Sequence, residues 1–289
     1  MLTDLQAWLA LFKTRLRETF GERVAFLGLQ GSRGRGEDTP ESDIDVVVVL
    51  DALTPEDIRR YRAMLDTMPE RALICGFLSG QEELRRWEPS DLFQFCHDTT
   101  PIIGSLESLL TCIGPEDVDR AVQIGACNIY HGCVHNLCHG RSEASLKGLY
   151  KSAVFVLQAL HYRRTGEYLR RMGELLPALS ALDARVLETA MRLRKGETVD
   201  FEPMAERLFT WAQEVIAQPW KRQETAHFIL YSTNRDTALA EKLASGIDAT
   251  YDRVAADLAM PPVAGEVRFL PVPGCPRLHG AHREDGGDL

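Results

Sequence analysis

Hydrophobic residues in the first hundred positions follow two different spacings. Between Leu5 and Phe20 they recur every three or four positions, which predicts an amphipathic helix that Gly21 ends. The apolar runs Arg23–Leu29 and Ile44–Leu50, the second rich in valine, predict buried strands. Comparable patterns predict four more elements: helix Pro55–Met68, strand Arg71–Leu78, short helix Gln81–Trp87 and strand Asp91–His97.

The strand-type spacing stops after Pro101. Helical spacing then runs from Leu106 to about Leu258, interrupted by glycine and proline. From Pro261 onward, closely spaced prolines and glycines predict a loosely ordered tail. The chain therefore divides into an α/β half, an all-helical half and a tail, which we place at residues 1–105, 106–260 and 261–289.

Composition limits the classes of protein that fit this pattern. Among 289 residues, 33 Lys and Arg against 42 Asp and Glu give a net charge of −9, which argues against a duplex nucleic-acid binder. No stretch has the ~18 consecutive apolar residues of a membrane helix, and Lys13 and Arg15 make the first helix unlike a signal peptide. The seven cysteines form no CxxC pair, which favours reduced thiols over a disulfide framework. We therefore expect a soluble, cytoplasmic chain.

Polar residues between the first two predicted strands carry candidate chemistry. Gly31 and Ser32 follow the first strand, and ten residues later Asp43-Ile44-Asp45 opens the second. Since side chains alternate along a strand, Asp43 and Asp45 point to the same side. Two neighbouring carboxylates favour a bound cation, and oxygen ligands suit a Mg²⁺ ion that bridges to phosphates.

The Gly31-Ser32 turn complements this carboxylate pair. Its backbone N–H groups and hydroxyl can approach a polyphosphate, and Arg33 and Arg35 add positive charge beside it. Together the turn and the carboxylates predict a site for a metal-chelated nucleoside triphosphate.

The segment LGLQGSRGRGEDTPESDIDVVVVL resembles the signature of the DNA polymerase β nucleotidyltransferase superfamily. The layout resembles that of the two-domain bacterial members typified by kanamycin and lincosamide nucleotidyltransferases. The resemblance implies an α+β fold, in which an N-terminal mixed sheet with flanking helices is followed by an all-α helical bundle. It also implies that Gly31 and Ser32 hold the nucleotide phosphates, that Asp43 and Asp45 are catalytic and ligate Mg²⁺, and that AMP passes from ATP to a hydroxyl with release of pyrophosphate.

One departure from the superfamily pattern concerns a third carboxylate. The superfamily normally has it on the next strand, but the apolar run from Leu73 to Leu78 contains no acid. Asp98, at the end of the following predicted strand, is a candidate substitute, and the alternative is a turn residue.

Three histidines mark a predicted helix of the second half. His131, His135 and His139 are four apart and so form one stripe. The glutamate of an HExxH motif is missing, which argues against zinc. The resemblance implies that a helix in this place carries the general base for the acceptor hydroxyl, and His135 is our candidate. The alternative is a polar stripe or a histidine satisfied in a helix interface.

The next predicted helix carries Lys147 and Lys151, also four apart. We expect Lys151 to bind phosphates across the cleft, together with Arg33 from the first half; the alternative for Lys151 is a solvated helix face. The nearby basic stretch with Arg170 and Arg171 is typical of exposed surface.

The leading hypothesis is thus a Mg²⁺-dependent nucleotidyltransferase that uses ATP and a hydroxyl-bearing, small-molecule acceptor. Two alternatives stay open, namely AMP transfer to a protein or an RNA, and a nucleotide-binding module without transfer chemistry. The missing third carboxylate motivates the second alternative. No membrane partner is expected, and the sequence leaves the oligomeric state open.

Overall fold

The computed structural model describes residues 4–39, 42–217, 221–232, 237–258, 267–269 and 280–281. The chain forms two compact units, Met1–Ile216 and Ala217–Leu289. The predicted boundary near residue 105 is therefore a division within the first unit. Apart from two short strands, the predicted tail at 261–289 lies outside the described residues. None of the helices in the described ranges has the length and apolar composition that a membrane span requires.

The first unit begins with helix α1, Leu5–Phe20, as predicted. Asp4 caps it by accepting the backbone N–H groups of Gln6 and Ala7, and it ends at Gly21, whose φ of 59° favours glycine. Strands and helices follow in the order β1 Val24–Gln30, α2 Gly31–Arg35, β2 Ile44–Leu50, α3 Pro55–Leu65, β3 Ile74–Gly80, α4 Gln81–Arg85, α5 Pro89–Asp98, β4 Thr100–Ile103 and α6 Glu107–Leu110.

The four strands form one mixed sheet in the order β3-β2-β1-β4. Strand β1 pairs antiparallel with β2 and β4, whereas β2 and β3 are parallel. Alternation along β2 divides its side chains between two cores. Ile44, Val46 and Val48 pack with α1 and α3, while Val47 and Val49 pack with α4, α5 and α6. Asp45 therefore belongs to the α5 side of the sheet.

Two predicted elements differ from the structure at this edge of the sheet. Asp91–His97, predicted as a strand, lies within helix α5, and its buried residues Leu92, Phe93 and Cys96 have helical spacing. The fourth strand is instead β4, which begins at Thr100. Asp98 is thus the last residue of a helix, not of a strand.

The remainder of the first unit is helical, as the predicted α+β fold class requires. Its elements are α7 Pro115–His135, a π-helical turn Asn136–Gly140, α8 Glu143–Thr165, α9 Met172–Leu175, α10 Ala181–Arg194 and α11 Phe201–Ile216. These helices enclose one large core around Tyr150, Leu157 and Trp211, and Phe93 of α5 belongs to the same core. The helical region is therefore packed directly against α5.

The second unit contains strands where the sequence predicts helices. Strands β5 Lys221–Glu224 and β6 Phe228–Ser232 pair antiparallel, and helices α12 Thr237–Ala244 and α13 Ile247–Asp257 follow. The strands β7 Val267–Phe269 and β8 Gly280–Ala281 complete a sheet in the order β5-β6-β7-β8. The predicted continuous run of helices to Leu258 is therefore wrong at the β5–β6 hairpin.

Candidate active site

Gly31 lies directly against the carboxylate of Asp45. It begins α2 immediately after β1, while Asp45 pairs with Gln30 at the end of β1. Gly31 has a φ of 68°, and a Cβ built on it would overlap Asp45 Oδ2. Only glycine therefore lets the Asp45 carboxylate lie beside the first turn of α2, where Ser32 is the next residue.

Asp45 is half-buried, and its charge is balanced by neighbours of both signs. Burial raises the pKa of its carboxyl above the usual value. Lys151 and Arg35 act in the opposite direction, while the carboxylates of Asp43 and Asp98 raise this pKa further. Neighbouring cations thus stabilise the ionised form of Asp45, and two neighbouring anions destabilise it. Such a cluster of carboxylates favours the binding of an additional cation.

Arg33 positions the strand start that carries Asp43. Its side chain is only 4% exposed, and its Nη2 donates to the Ser42 carbonyl at 2.8 Å and its Nε to the Asp43 carbonyl at 3.2 Å. Its Nη1 pairs with Asp38 at 3.0 Å. Arg33 is thus buried against backbone carbonyl groups beside Asp43. The predicted contact with a phosphate would require an exposed side chain.

Arg35 is held on the other side of α2 by Asp98. Its Nη1 donates to both carboxylate oxygens, at 2.8 and 2.6 Å. Burial alone would lower the pKa of Arg35, but Asp98 and Glu37 raise it above its usual value, so the guanidinium stays charged. Arg170 Nη2 donates to the Asp98 carbonyl at 2.7 Å and to Thr100 Oγ1 at 3.0 Å. Asp98 thus forms an ion pair with Arg35, and its charge also acts on Asp45.

Glu37 links the loop after α2 to the helical region. The backbone N–H of Met172 donates to its Oε1 at 2.9 Å, and Arg194 Nη1 donates to its Oε2 at 3.1 Å. Arg171 Nε donates to the Arg35 carbonyl at 3.1 Å. The loop that carries the glycine-serine turn is therefore tied to α9 and α10.

Lys151 lies on α8 with an exposed side chain, and its charge acts on Asp45. The structure therefore brings Lys151 of the helical region close enough to Asp45 for its charge to act on that carboxylate. A cation there can oppose the charge of a phosphate held near the two aspartates.

The three histidines form the predicted stripe along α7 and the turn that follows it. His131 and His135 are exposed on α7, with ring centroids 6.4 Å apart, and His139 follows 5.2 Å from His135. Among the described residues, His135 makes no hydrogen bond or ion pair with Asp43 or Asp45.

Strand β3 places a cysteine beside Asp45. Cys75 is the parallel-strand neighbour of Asp45, it is exposed, and its thiol is free. Across the part of the chain that is described, no group of three or more His, Cys, Asp or Glu side chains is arranged to hold a metal. The residues that could hold Mg²⁺ are the pair Asp43 and Asp45, and glycine at position 31 leaves room for the Asp45 carboxylate beside the turn.

Several contributors to this site were not predicted as such. Arg35 was expected only to add positive charge, and Arg170 and Arg171 were expected at the surface. Their partners lie far away in the sequence, at Asp98 and Thr100 among others, so composition alone could not identify them. The one available signal was the density of arginine near residues 33–35 and 170–171.

Comparison with known proteins identifies a domain type for the N-terminal region and a similar fold. Residues 9–93 match the family model of the nucleotidyltransferase domain. Among solved structures, the chain is similar to spectinomycin adenyltransferase from Enterococcus faecialis, which was solved with ATP and spectinomycin. The two sequences are 16% identical, and the match covers 74% of this chain and 100% of that chain with a TM-score of 0.52. A nucleotidyltransferase-like protein from Exiguobacterium sibiricum is 8% identical over 95% of this chain and 98% of that one, with a TM-score of 0.28. No curated protein matches the sequence. The first similarity supports the fold.

Proposed function

We propose that this chain, whose residues 9–93 form a nucleotidyltransferase domain of the DNA polymerase β-like superfamily, transfers AMP from ATP to a hydroxyl group of a small-molecule acceptor. The observation that carries the proposal is the fit of the Asp45 carboxylate against Gly31, with Asp43 and Lys151 acting on the same carboxylate. The similar spectinomycin adenyltransferase, solved with ATP and spectinomycin, supports both the nucleotide and a small acceptor. Use of ATP fits a cytoplasmic reaction.

The chain's own residues would divide the work as follows. Asp43 and Asp45 would hold Mg²⁺, which supplies charge neutralisation at the phosphate when bound. Gly31 and Ser32 would orient the phosphates through backbone N–H groups and the hydroxyl. Lys151 would stabilise negative charge that develops on the phosphoryl oxygens as the bond to pyrophosphate breaks.

Removal of the acceptor proton needs a base, and we propose His135 for this role. An imidazole nitrogen can accept the proton of a hydroxyl group as the hydroxyl attacks. His135→Gln should then lower the rate of transfer, whereas His131→Gln, the matched control on the same helix face, should leave it unchanged. Equal rates in both variants would exclude His135 as the base.

Pyrophosphate release tests the proposal directly. The purified chain with Mg²⁺ and ATP should release pyrophosphate when given an accepted compound from a panel of spectinomycin, aminoglycosides and lincosamides. Asp45→Asn should abolish release, while Asp66→Asn, at an exposed carboxylate that pairs with Arg71, should not. Full activity in Asp45→Asn would refute the proposed role of the two aspartates.

A second candidate is a nucleotide-binding module without transfer chemistry. The observation that favours it is Cys75 at the strand position beside Asp45. Calorimetry separates the two candidates, because a binding module titrates with Mg²⁺–ATP yet releases no pyrophosphate with any compound of the panel.

A further inference from the structure

A cavity of about 200 Å³ lies between helices α5, α7 and α8. The phenyl rings of Phe93 and Phe155 and small apolar side chains form most of its wall. Three polar side chains also line it: Gln94 from α5, Asn128 from α7 and Ser152 from α8. Aromatic walls with a few hydrogen-bonding groups are typical of a site for a small planar ligand.

Gln94 leaves one hydrogen-bond donor unused at this cavity. Its enclosed Nε2 neighbours the hydroxyl oxygen of the buried Tyr168, and at least one of its two N–H groups has no acceptor among the described residues. An enclosed donor without an acceptor is unfavourable by an amount comparable to a lost hydrogen bond. A ligand with an acceptor atom in its plane would satisfy it.

One wall of the cavity is formed by α8, the helix that also carries Lys151. Ser152 directly follows Lys151, whose charge acts on Asp45. Phe155 is four residues beyond Lys151, so it lies on the same helix face about 6 Å further along α8. A ligand whose charged end contacts Lys151 can therefore place a ring beside Phe155.

We propose that this cavity binds the nucleobase of the nucleoside triphosphate, with Phe155 against the ring face and Gln94 donating to a ring nitrogen or oxygen. This inference rests on the proposed function, since it requires the triphosphate at the aspartates. Amide side chains pair well with the edge of adenine, and aromatic rings stack on any base.

The test compares Mg²⁺–ATP with Mg²⁺–tripolyphosphate, which has the same charged groups but no base. Isothermal titration of the full chain should show tighter binding of ATP. Gln94→Leu should weaken ATP binding about fivefold, as expected for one lost hydrogen bond, and Phe155→Ala about tenfold, as expected for lost stacking. Both variants should bind tripolyphosphate as the unmodified chain does. The control is Gln123→Leu, on α7 outside the cavity, which should bind ATP as the unmodified chain does. If thermal melting shows that Phe155→Ala is unfolded, Phe155→Leu takes its place.

The outcomes separate this inference from the proposed function. If the unmodified chain binds tripolyphosphate as tightly as ATP, or if the variants weaken both ligands equally, the cavity does not hold the base and the inference is overturned. The same conclusion follows if the variants change only the KM of the acceptor. If neither ligand binds the unmodified chain, the proposed function fails, and this inference fails with it.

Discussion

The close approach of Gly31 to Asp45 can be tested by adding one methyl group. In Gly31→Ala the alanine would adopt a φ of 68°, in the left-handed region. That conformation is unfavourable for an L residue by about 1–2 kcal/mol, and reduced freedom of the unfolded chain offsets about 0.4–1 kcal/mol of this. The net loss of stability is therefore about 1 kcal/mol. The methyl group would also overlap Asp45 Oδ2, so the carboxylate has to move by about 1.5 Å to reach an ordinary contact distance.

Gly36 provides a matched control in the same loop. It has a φ of 69°, and a Cβ built on it meets no atom within 4 Å. Gly36→Ala therefore has the same backbone penalty but leaves Asp45 in place. Urea denaturation should show a loss of about 1 kcal/mol in both variants.

The two variants should differ in function. Because displacement of a catalytic group by about 1 Å reduces turnover about a hundredfold, Gly31→Ala should lose pyrophosphate release and Mg²⁺–ATP affinity, whereas Gly36→Ala should retain both. Calorimetry with Mg²⁺–ATP gives the affinity without any acceptor. If both variants bind Mg²⁺–ATP equally well, the position of the Asp45 carboxylate does not matter and the reasoning is refuted.

Three further predictions concern the surroundings of the site. Asp98→Ala removes the partner of a buried guanidinium and should lower the free energy of unfolding by about 3 kcal/mol in urea denaturation; an unchanged midpoint would contradict the role given to this ion pair. Cys75→Asp adds a third carboxylate beside Asp45 and should tighten Mg²⁺ binding about tenfold by calorimetry, and weaker or equal binding would argue against the strand geometry. Hydrogen bonds from Arg23 hold the pKa of Asp57 below its usual range, so its contribution to stability is present above about pH 4 and is lost as the pH falls further. Asp57→Asn should flatten this acid-induced fall in Tm, and an identical fall in both proteins would contradict the assignment.

The glycine-serine turn and the aspartate strand could be predicted because their signals are local. The β-branched run Ile44–Leu50 forms β2 with the predicted bounds. The alternation of side chains along β2 also places Asp45 and Ile44 on different faces of the sheet, as the two-residue period requires. For these residues, neighbouring positions in the sequence determine the structure.

The elements between residues 89 and 103 could not be predicted reliably from local pattern. The run Asp91–His97 is short and apolar, and such a run fits a buried strand as well as a helix. Pro101 obscures β4 in the sequence, but β4 is one of the two edge strands of its sheet, where proline is tolerated. Packing of α5 between the sheet and the helical region decides the outcome, and that packing involves distant residues.

The roles of the arginines depend on contacts that spacing does not reveal. Arg33 contacts carbonyl groups at the start of β2, whereas Arg35, two residues later, pairs with Asp98. In the sequence, both arginines lie just before the same loop. The direction in which each side chain leaves the short helix α2 decides which one positions the backbone and which one completes an ion pair.

The central claim, that Asp43 and Asp45 hold a divalent cation together with the nucleotide, is tested most directly by titrating ATP into the protein with Mg²⁺ and again with EDTA. The unmodified chain should bind ATP about tenfold more tightly or better with Mg²⁺, whereas Asp45→Asn, folded as judged by thermal melting, should show no effect of Mg²⁺. If Mg²⁺ strengthens ATP binding equally in both proteins, the two aspartates do not hold the metal and the account is contradicted.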